Sequence, residues 1–447
     1  SFHDDDRSYH NCFLNTTTCP SHTPNTSHTG RFLSFKFLKK FCQMTSKRLS
    51  DVAIVGGGAM GSSVAYFLKK RMPSLAVTVV ERDPTYKECS TGLSVGSIRQ
   101  QFSIRGNVEM SLFGANFLKS IDEHLTVDEE DKADVQFHEE GYLFLASDRG
   151  MDILKRNHEV QKGAGAEVAM FTPEDLAQRY PWLNLDGIAG AAFGTSNEGW
   201  FDPWSLLSCF RKKALSLGVE YVHSNCESVQ VENDRVVGIE VSKPGSSETS
   251  TISCAHVVNA AGPHAAAVHR MIKNDVDLPV RPRKRNVFVL HCAEPSLQNC
   301  PMLIDKSGVY VRREGSGGHY LCGKSPDPQD DPDCDELSVD HAFFEEEIWE
   351  RLATRVPAFE ALKVVNSWAG YYEYNTLDQN AIVGAHPQIS NYYMINGFSG
   401  HGIQQSPAAG RAISELILDG SFQTIDLREF GYERIIENRP LRERNVI

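Results

Sequence analysis

Residues 51–70 read DVAIVGGGAMGSSVAYFLKK. Asp51 to Val55 is a short apolar strand, glycines follow at once, and an apolar-periodic helix then runs to about Lys70. A second strand, Ala76 to Glu81, completes a strand, turn, helix and strand in about thirty residues, the frame of a dinucleotide site. Gly56-Gly57-Gly58-Ala59-Met60-Gly61 fits G-x-G-x-x-G. In that pattern Gly56 permits the tight turn, Gly58 lets a phosphate approach the backbone, and Gly61 lets helix and strand pack closely. The helix N-terminus, at Ala59 and Met60, offers N–H groups and a partial positive charge to a pyrophosphate. Glu81 falls twenty residues after Gly61, where its carboxylate can accept from ribose hydroxyls. An acid there argues against a 2′-phosphate and so against NADP.

Outward from this stretch the chain reads as an ordinary soluble enzyme. Its 447 residues exceed one compact core, so two domains are expected. A net charge of −13 excludes a nucleic-acid binder, which needs a basic face. The eleven cysteines include no C-x-x-C pair and read as reduced thiols, not as a disulfide framework or a metal site. No apolar run reaches the roughly 18 residues of a transmembrane anchor.

The first fifty residues stand apart. After Asp4, Asp5 and Asp6 no acid appears until Asp51, while basic residues, Ser and Thr are frequent. Lys36, Lys39 and Lys40 share one helical side, and Phe35, Phe37 and Phe41 fall mostly on the other. Residues 1–48 therefore fit a mitochondrial targeting leader or a disordered tail, packed against nothing in either case. Farther on, residues 107–121 and Leu206 to Leu217 read as helices, Gly141 to Ala146 as a strand, and Val219 to Val241 as a hairpin turning near Asn233-Asp234. His256 to Ala261 and Tyr392 to Ile395 read as strands, Ser406 to Leu418 as a last helix, and the Pro- and Asp-rich stretch 325–340 as an exposed loop.

The chain resembles the D-amino-acid oxidase and sarcosine oxidase-like flavoprotein family over nearly all of residues 51–430. The first stretch with VVERD, STGLSVGSIRQQF at 90–102, HVVNAAGPHA at 256–265 and INGFSGHGIQQSPAAGRAISELI at 395–417 carry the likeness. The resemblance implies FAD as cofactor, and an α/β fold in which a Rossmann-type FAD-binding domain (51–104, 170–265 and 375–430) is interleaved with a second α+β substrate domain. That second domain (105–169 and 266–374) is expected to be built on a largely antiparallel sheet, with a C-terminal tail at 431–447. It implies that Arg82 sits beside the adenosine, that Ser90 and Thr91 line the pyrophosphate and flavin, and that Ala261 and Gly262 form a second loop around the dinucleotide. Gly397, Ser399, Gly400, His401 and Gly402 would close over the isoalloxazine ring. Small residues suit that role because they let backbone approach a flat ring.

Members of the family take a hydride from an amine or amino-acid carbon, so the resemblance implies such a small-molecule substrate. His401 fits substrate orientation or flavin tuning, and equally a structural flavin contact. Arg99 fits a partner for a substrate carboxylate or a surface ion pair. Arg285, in the cluster Arg281, Arg283, Lys284 and Arg285, fits a solvated strand end, or a side chain approaching the flavin. Tyr310, Tyr371 and Tyr372 fit cavity walls or core.

The sarcosine oxidase branch holds its substrate carboxylate with a further arginine and a lysine, where this sequence has Phe102 and Gln404. Its oxygen-activating lysine has no counterpart in register near Lys324. Related enzymes that bind FAD covalently carry a histidine or a cysteine where Leu93 and Tyr371 stand, so the FAD is expected to be non-covalent. GWFDPW at 199–204, AGYYEYNTLDQN at 369–380 and QTIDL at 423–427 resemble a mitochondrial branch tied to assembly of respiratory complex I. That likeness implies a place in the matrix or at the inner-membrane face, and complex I subunits or assembly intermediates as partners. Two functions follow: an amine-oxidising dehydrogenase, or a scaffold that FAD stabilises.

Overall fold

Val52 to Val55 are buried side by side, as a parallel strand covered on both faces requires. In the computed structural model, which describes residues 48–272 and 276–444, they belong to the strand Arg48–Val55. The strand starts earlier than its apolar core because Arg48, Leu49 and Ser50 pair with Ile252, Ser253 and Cys254. The remainder of the leader, with Phe35, Phe37 and Phe41, lies outside the described residues.

This strand sits inside an eight-stranded sheet, parallel to Val77–Glu81 on one side and Thr249–Asn259 on the other. Tyr392–Asn396 adds in parallel beyond Thr249–Asn259, and Glu220–His223 beyond Val77–Glu81. Asn225–Glu232 and Arg235–Ser242 form a hairpin against Thr249–Asn259. Its turn residues Asn233 and Asp234 have φ 48° and 57°, the paired left-handed conformations that a two-residue turn demands. The helices Ala59–Arg71 and Gly402–Asp419 pack together on this sheet. Their approach is close: a Cβ on Gly410 would overlap Ser63, whose Oγ donates to the Ser406 carbonyl at 2.8 Å.

The second sheet also has eight strands, in the order Lys363–Asn375, Val280–His291, His319–Gly323, Tyr310–Glu314, Met302–Ile304, Tyr142–Ala146, Gly190–Gly194 and Val168–Phe171. It is antiparallel except where Met302–Ile304 meets Tyr142–Ala146. Its long outer pair sets Arg285 opposite Gly370 and Glu373 opposite Pro282. The fold is thus a Rossmann-type unit joined to a second unit on a largely antiparallel sheet.

Three boundaries differ from the sequence reading. The helix Arg105–Lys119, assigned to the second domain, packs against Gly402–Asp419 of the first, where a Cβ on Gly114 would overlap the Gln404 carbonyl. Residues 170–194 do not go with the first sheet: Gly190–Gly194 lies between Tyr142–Ala146 and Val168–Phe171 in the second. Its sequence, GAAFG, has too little alternation to announce a strand. Nor are the described residues after 430 a tail. Arg434 is 1% exposed, holds both oxygens of Asp378, and donates to the carbonyls of Phe430, Asn380 and Ala381. Asp331, inside the stretch read as an exposed loop, is also buried.

Candidate functional site

The glycine loop is built by steric necessity. Gly56 has φ +103°, and a Cβ there would overlap the Ala260 carbonyl; one on Gly61 would overlap the Gly56 carbonyl. Gly58 differs, since the nearest protein atoms to a Cβ would be Cys89 Sγ and Thr91 Oγ1, both at 3.5 Å. Protein packing therefore leaves room at Gly58, and its lack of a side chain keeps open the cradle at the helix start. Thr91 Oγ1 accepts from the Ala59 N–H at 3.2 Å, and Ser90 Oγ is enclosed without a protein partner on the same cavity wall. Met60 reaches across to within 3.0 Å of where a Gly402 Cβ would stand.

Glu81 ties the loop to the second strand, its Oε2 accepting from Gly57 N–H and its Oε1 from Asp83 N–H, each at 2.8 Å. Each oxygen keeps a lone pair for a ribose hydroxyl. Arg82 Nη2 lies 2.8 Å from His264 Nε2 and so reaches the second loop, which carries Ala261 and Gly262. Burial first, and the Arg82 charge second, push the His264 imidazole down to about 4.

Gly397, Ser399 and Gly400 take positive φ of 74°, 48° and 96°, folding the third loop back over the cavity. A Cβ on Gly400 would lie 2.5 Å from the Tyr372 ring. Ser399 Oγ accepts from Asn375 N–H at 2.9 Å, which fixes the loop to the second sheet. His401, just before the helix, is buried; burial and then the Arg99 charge push it down to about 3, so it is neutral in the working range. These loops fit a dinucleotide cofactor: an open glycine cradle, an enclosed hydroxyl without a partner, and an acid at the ribose end.

Arg99 is 3% exposed. Its guanidinium donates to the Gln101 carbonyl, lies 3.4 Å from His401 Nε2, and stacks 4.1 Å from the Phe102 ring centre. Gln404 Oε1 accepts the Arg99 backbone N–H at 2.7 Å. Phe102 and Gln404 thus hold the one arginine in place. Arg285 is no solvated strand end: it is 7% exposed and ion-paired with Asp331. Arg99, Arg285, His401, Tyr310 and Tyr372 line one cavity, with Met302 and Ile304 among its apolar walls.

Sequence reading passed over two acids here. Glu198 is fully buried, accepting from Gln100 N–H at 2.6 Å and from Gln101 Nε2 at 2.7 Å. Burial outweighs those bonds and pushes it up to about 7. Glu373 lines the cavity beside Tyr372 and is pushed by burial up to about 8. Lys324 turns away into an adjoining cavity, its Nζ 3.0 Å from Glu347.

A Rossmann sheet, three loops that fit a dinucleotide and a cavity lined by the second sheet define a flavin-dependent oxidoreductase. The chain belongs to the FAD dependent oxidoreductase (DAO) family, whose model matches residues 51–416, and FAD is its cofactor. It is 48% identical to FAD-dependent oxidoreductase domain-containing protein 1 of Xenopus laevis, over 89% of this chain and 85% of that protein. It is 26% identical to human mitochondrial sarcosine dehydrogenase over 89% of this chain, which spans 43% of that longer protein. Among solved structures it is similar to L-proline dehydrogenase from P. horikoshii, with a TM-score of 0.78, 26% identity and coverage of 88% and 100% of the two chains.

Proposed function

We propose that the protein is a dehydrogenase that oxidises a small amine or amino acid at its C–N bond. The observation that carries this reading is Arg99, a buried cation on the cavity wall with no carboxylate in ion-pair range among the described residues. A buried, unpaired guanidinium is costly, and a substrate carboxylate offsets that cost while fixing the substrate's orientation. Bound FAD supplies the two-electron acceptor. Arg99 raises the positive potential of the chamber, which disfavours an ammonium and favours the neutral amine whose carbon releases hydride. Hydride loss leaves an iminium ion, which water hydrolyses to a carbonyl compound, an amine and a proton.

The names of the sarcosine and L-proline dehydrogenase relatives support this substrate class. Apolar walls at Met302, Ile304 and Leu93 suit a substrate with a hydrocarbon side chain or N-substituent. The human relative's mitochondrial designation and the basic, acid-poor leader support a mitochondrial location.

Anaerobic mixing with secondary amines and amino acids tests the reading. A member of the panel should bleach the yellow flavin absorbance, and Arg99→Gln should raise the concentration required while FAD stays bound. If no amine or amino acid bleaches the flavin, the reading fails.

A further inference from the structure

Glu373 stands between two cofactor loops. Its carboxylate accepts from the backbone N–H groups of Gly397 and Phe398. Oε1 lies 3.3 Å from where a Gly402 Cβ would be, and Oε2 lies 3.8 Å from where a Gly262 Cβ would be. Oε2 is enclosed and has no hydrogen-bond partner, and the side chain faces the cavity. Among the described residues no cation contributes to holding its charge. An ionised carboxylate so placed is costly.

We propose that Glu373 binds FAD as a neutral carboxylic acid, its free oxygen carrying the proton and donating a hydrogen bond to an oxygen of the cofactor. Its proposed partner belongs to the cofactor and not the substrate, because the loops on either side of it, at Gly262 and at Gly397–Gly402, are cofactor loops. The inference rests on FAD binding alone and stands whatever the substrate is.

The linkage has a definite sign. The protonated form binds, so affinity is full below the carboxyl pKa of about 8 and falls as pH rises through it. Other groups around Glu373 do not mimic this. Tyr371 and Tyr372 on its own strand are pushed up by burial, while His401 and His264 on the flanking loops are pushed down to about 3 and about 4. On the paired strand, Arg283 and Arg285 are held by Asp333 and Asp331, and Lys284 shares the face of Glu373.

The test is the dissociation constant of FAD from the holoprotein, read by flavin fluorescence across about pH 6.5 to 9.5 with circular dichroism as a check on folding. The constant should be level at low pH and rise toward tenfold per unit above about pH 8. Glu373→Gln, which keeps a donor and cannot ionise, should bind FAD within about threefold of wild type at low pH and show no rise. A level or falling wild-type profile overturns the proposal by itself, without any variant. An unchanged slope in Glu373→Gln also overturns it.

Discussion

The Arg285 guanidinium meets the Asp331 carboxylate in two parallel hydrogen bonds of 2.8 Å, and both side chains are closed off from solvent. The pair joins the Asp-rich loop to the second sheet where the flavin cavity meets its neighbour, and Arg285 lines both. Arg285 Nε already lacks a partner, so the ion pair carries much of the compensation for burying this cation. Asp331→Ala should cost about 3–5 kcal/mol, the scale of stranding a buried charge. The double variant Arg285→Met with Asp331→Leu should recover most of that loss. Thermal unfolding of the holoproteins checks this, and a single variant as stable as wild type would refute it.

What was legible in the sequence was local. Gly61 against Gly56 and the Asn233-Asp234 turn declare themselves because backbone sterics act within a few residues, and Glu81 because its spacing from Gly61 belongs to the same strand-turn-helix-strand frame. The buried acids do not. Glu373 sits unremarked beside two tyrosines until the Gly262 and Gly402 loops close around it. Glu198 acquires meaning only when it meets Gln101 across 97 residues of chain. Asp331 looks like one more acid in a solvated loop, and Arg434 like part of a tail, until their partners Arg285 and Asp378 arrive from distant strands and turns. Composition marks such residues as exposed, and only tertiary pairing reverses that.

Glu198 should give stability a pH dependence of opposite sign to the usual carboxylate. Its folded pKa of about 7 lies above the ordinary glutamate value, so folding favours the protonated acid. That contribution is complete below about pH 4.5 and is lost as pH rises through 7, to a total of about 3 kcal/mol. Stability of the holoprotein should therefore contain a decline between about pH 4.5 and 7 that Glu198→Gln removes. Denaturant melts at several pH values measure it. Parallel profiles for the two proteins would show that Glu198 stays ionised.

Electrons should pass to a carrier in preference to oxygen. Among the described residues no lysine lines the flavin cavity, Lys324 being held by Glu347 next door, and Arg285 is neutralised by Asp331. If Arg99 holds the substrate carboxylate as proposed, no free cation remains on the cavity wall among the described residues to stabilise superoxide. With any substrate that bleaches the flavin, peroxide formation should be about a hundredfold slower than reduction of an artificial acceptor, the scale of losing one preorganised charge. Rapid peroxide release without an acceptor would contradict this.

The FAD should come away without breaking a covalent bond. Leu93, at the position where related enzymes carry a flavin-linked histidine, lines the cavity with a side chain that has no nucleophile. Its carbonyl accepts the Trp368 indole N–H at 2.9 Å, which fixes that stretch. Tyr371, at the position of the linked cysteine, offers a phenol that burial pushes up, away from the reactive phenolate. No cysteine lines the cavity among the described residues. Cys89 lies near Gly58 and Thr91 at the cradle, and burial pushes its thiol up, so it holds no thiolate to attack with. His401 is the one histidine on the cavity wall among the described residues, and its ring is engaged with Arg99 and packed edge-on to Phe102. Retention then rests on the glycine cradle, Glu81, Glu373 and enclosure of the ring, all of which vanish on unfolding. Acid precipitation should leave a colourless pellet and a yellow supernatant containing intact FAD. Yellow colour that stays with the washed pellet would mean that one of these side chains reacts after all.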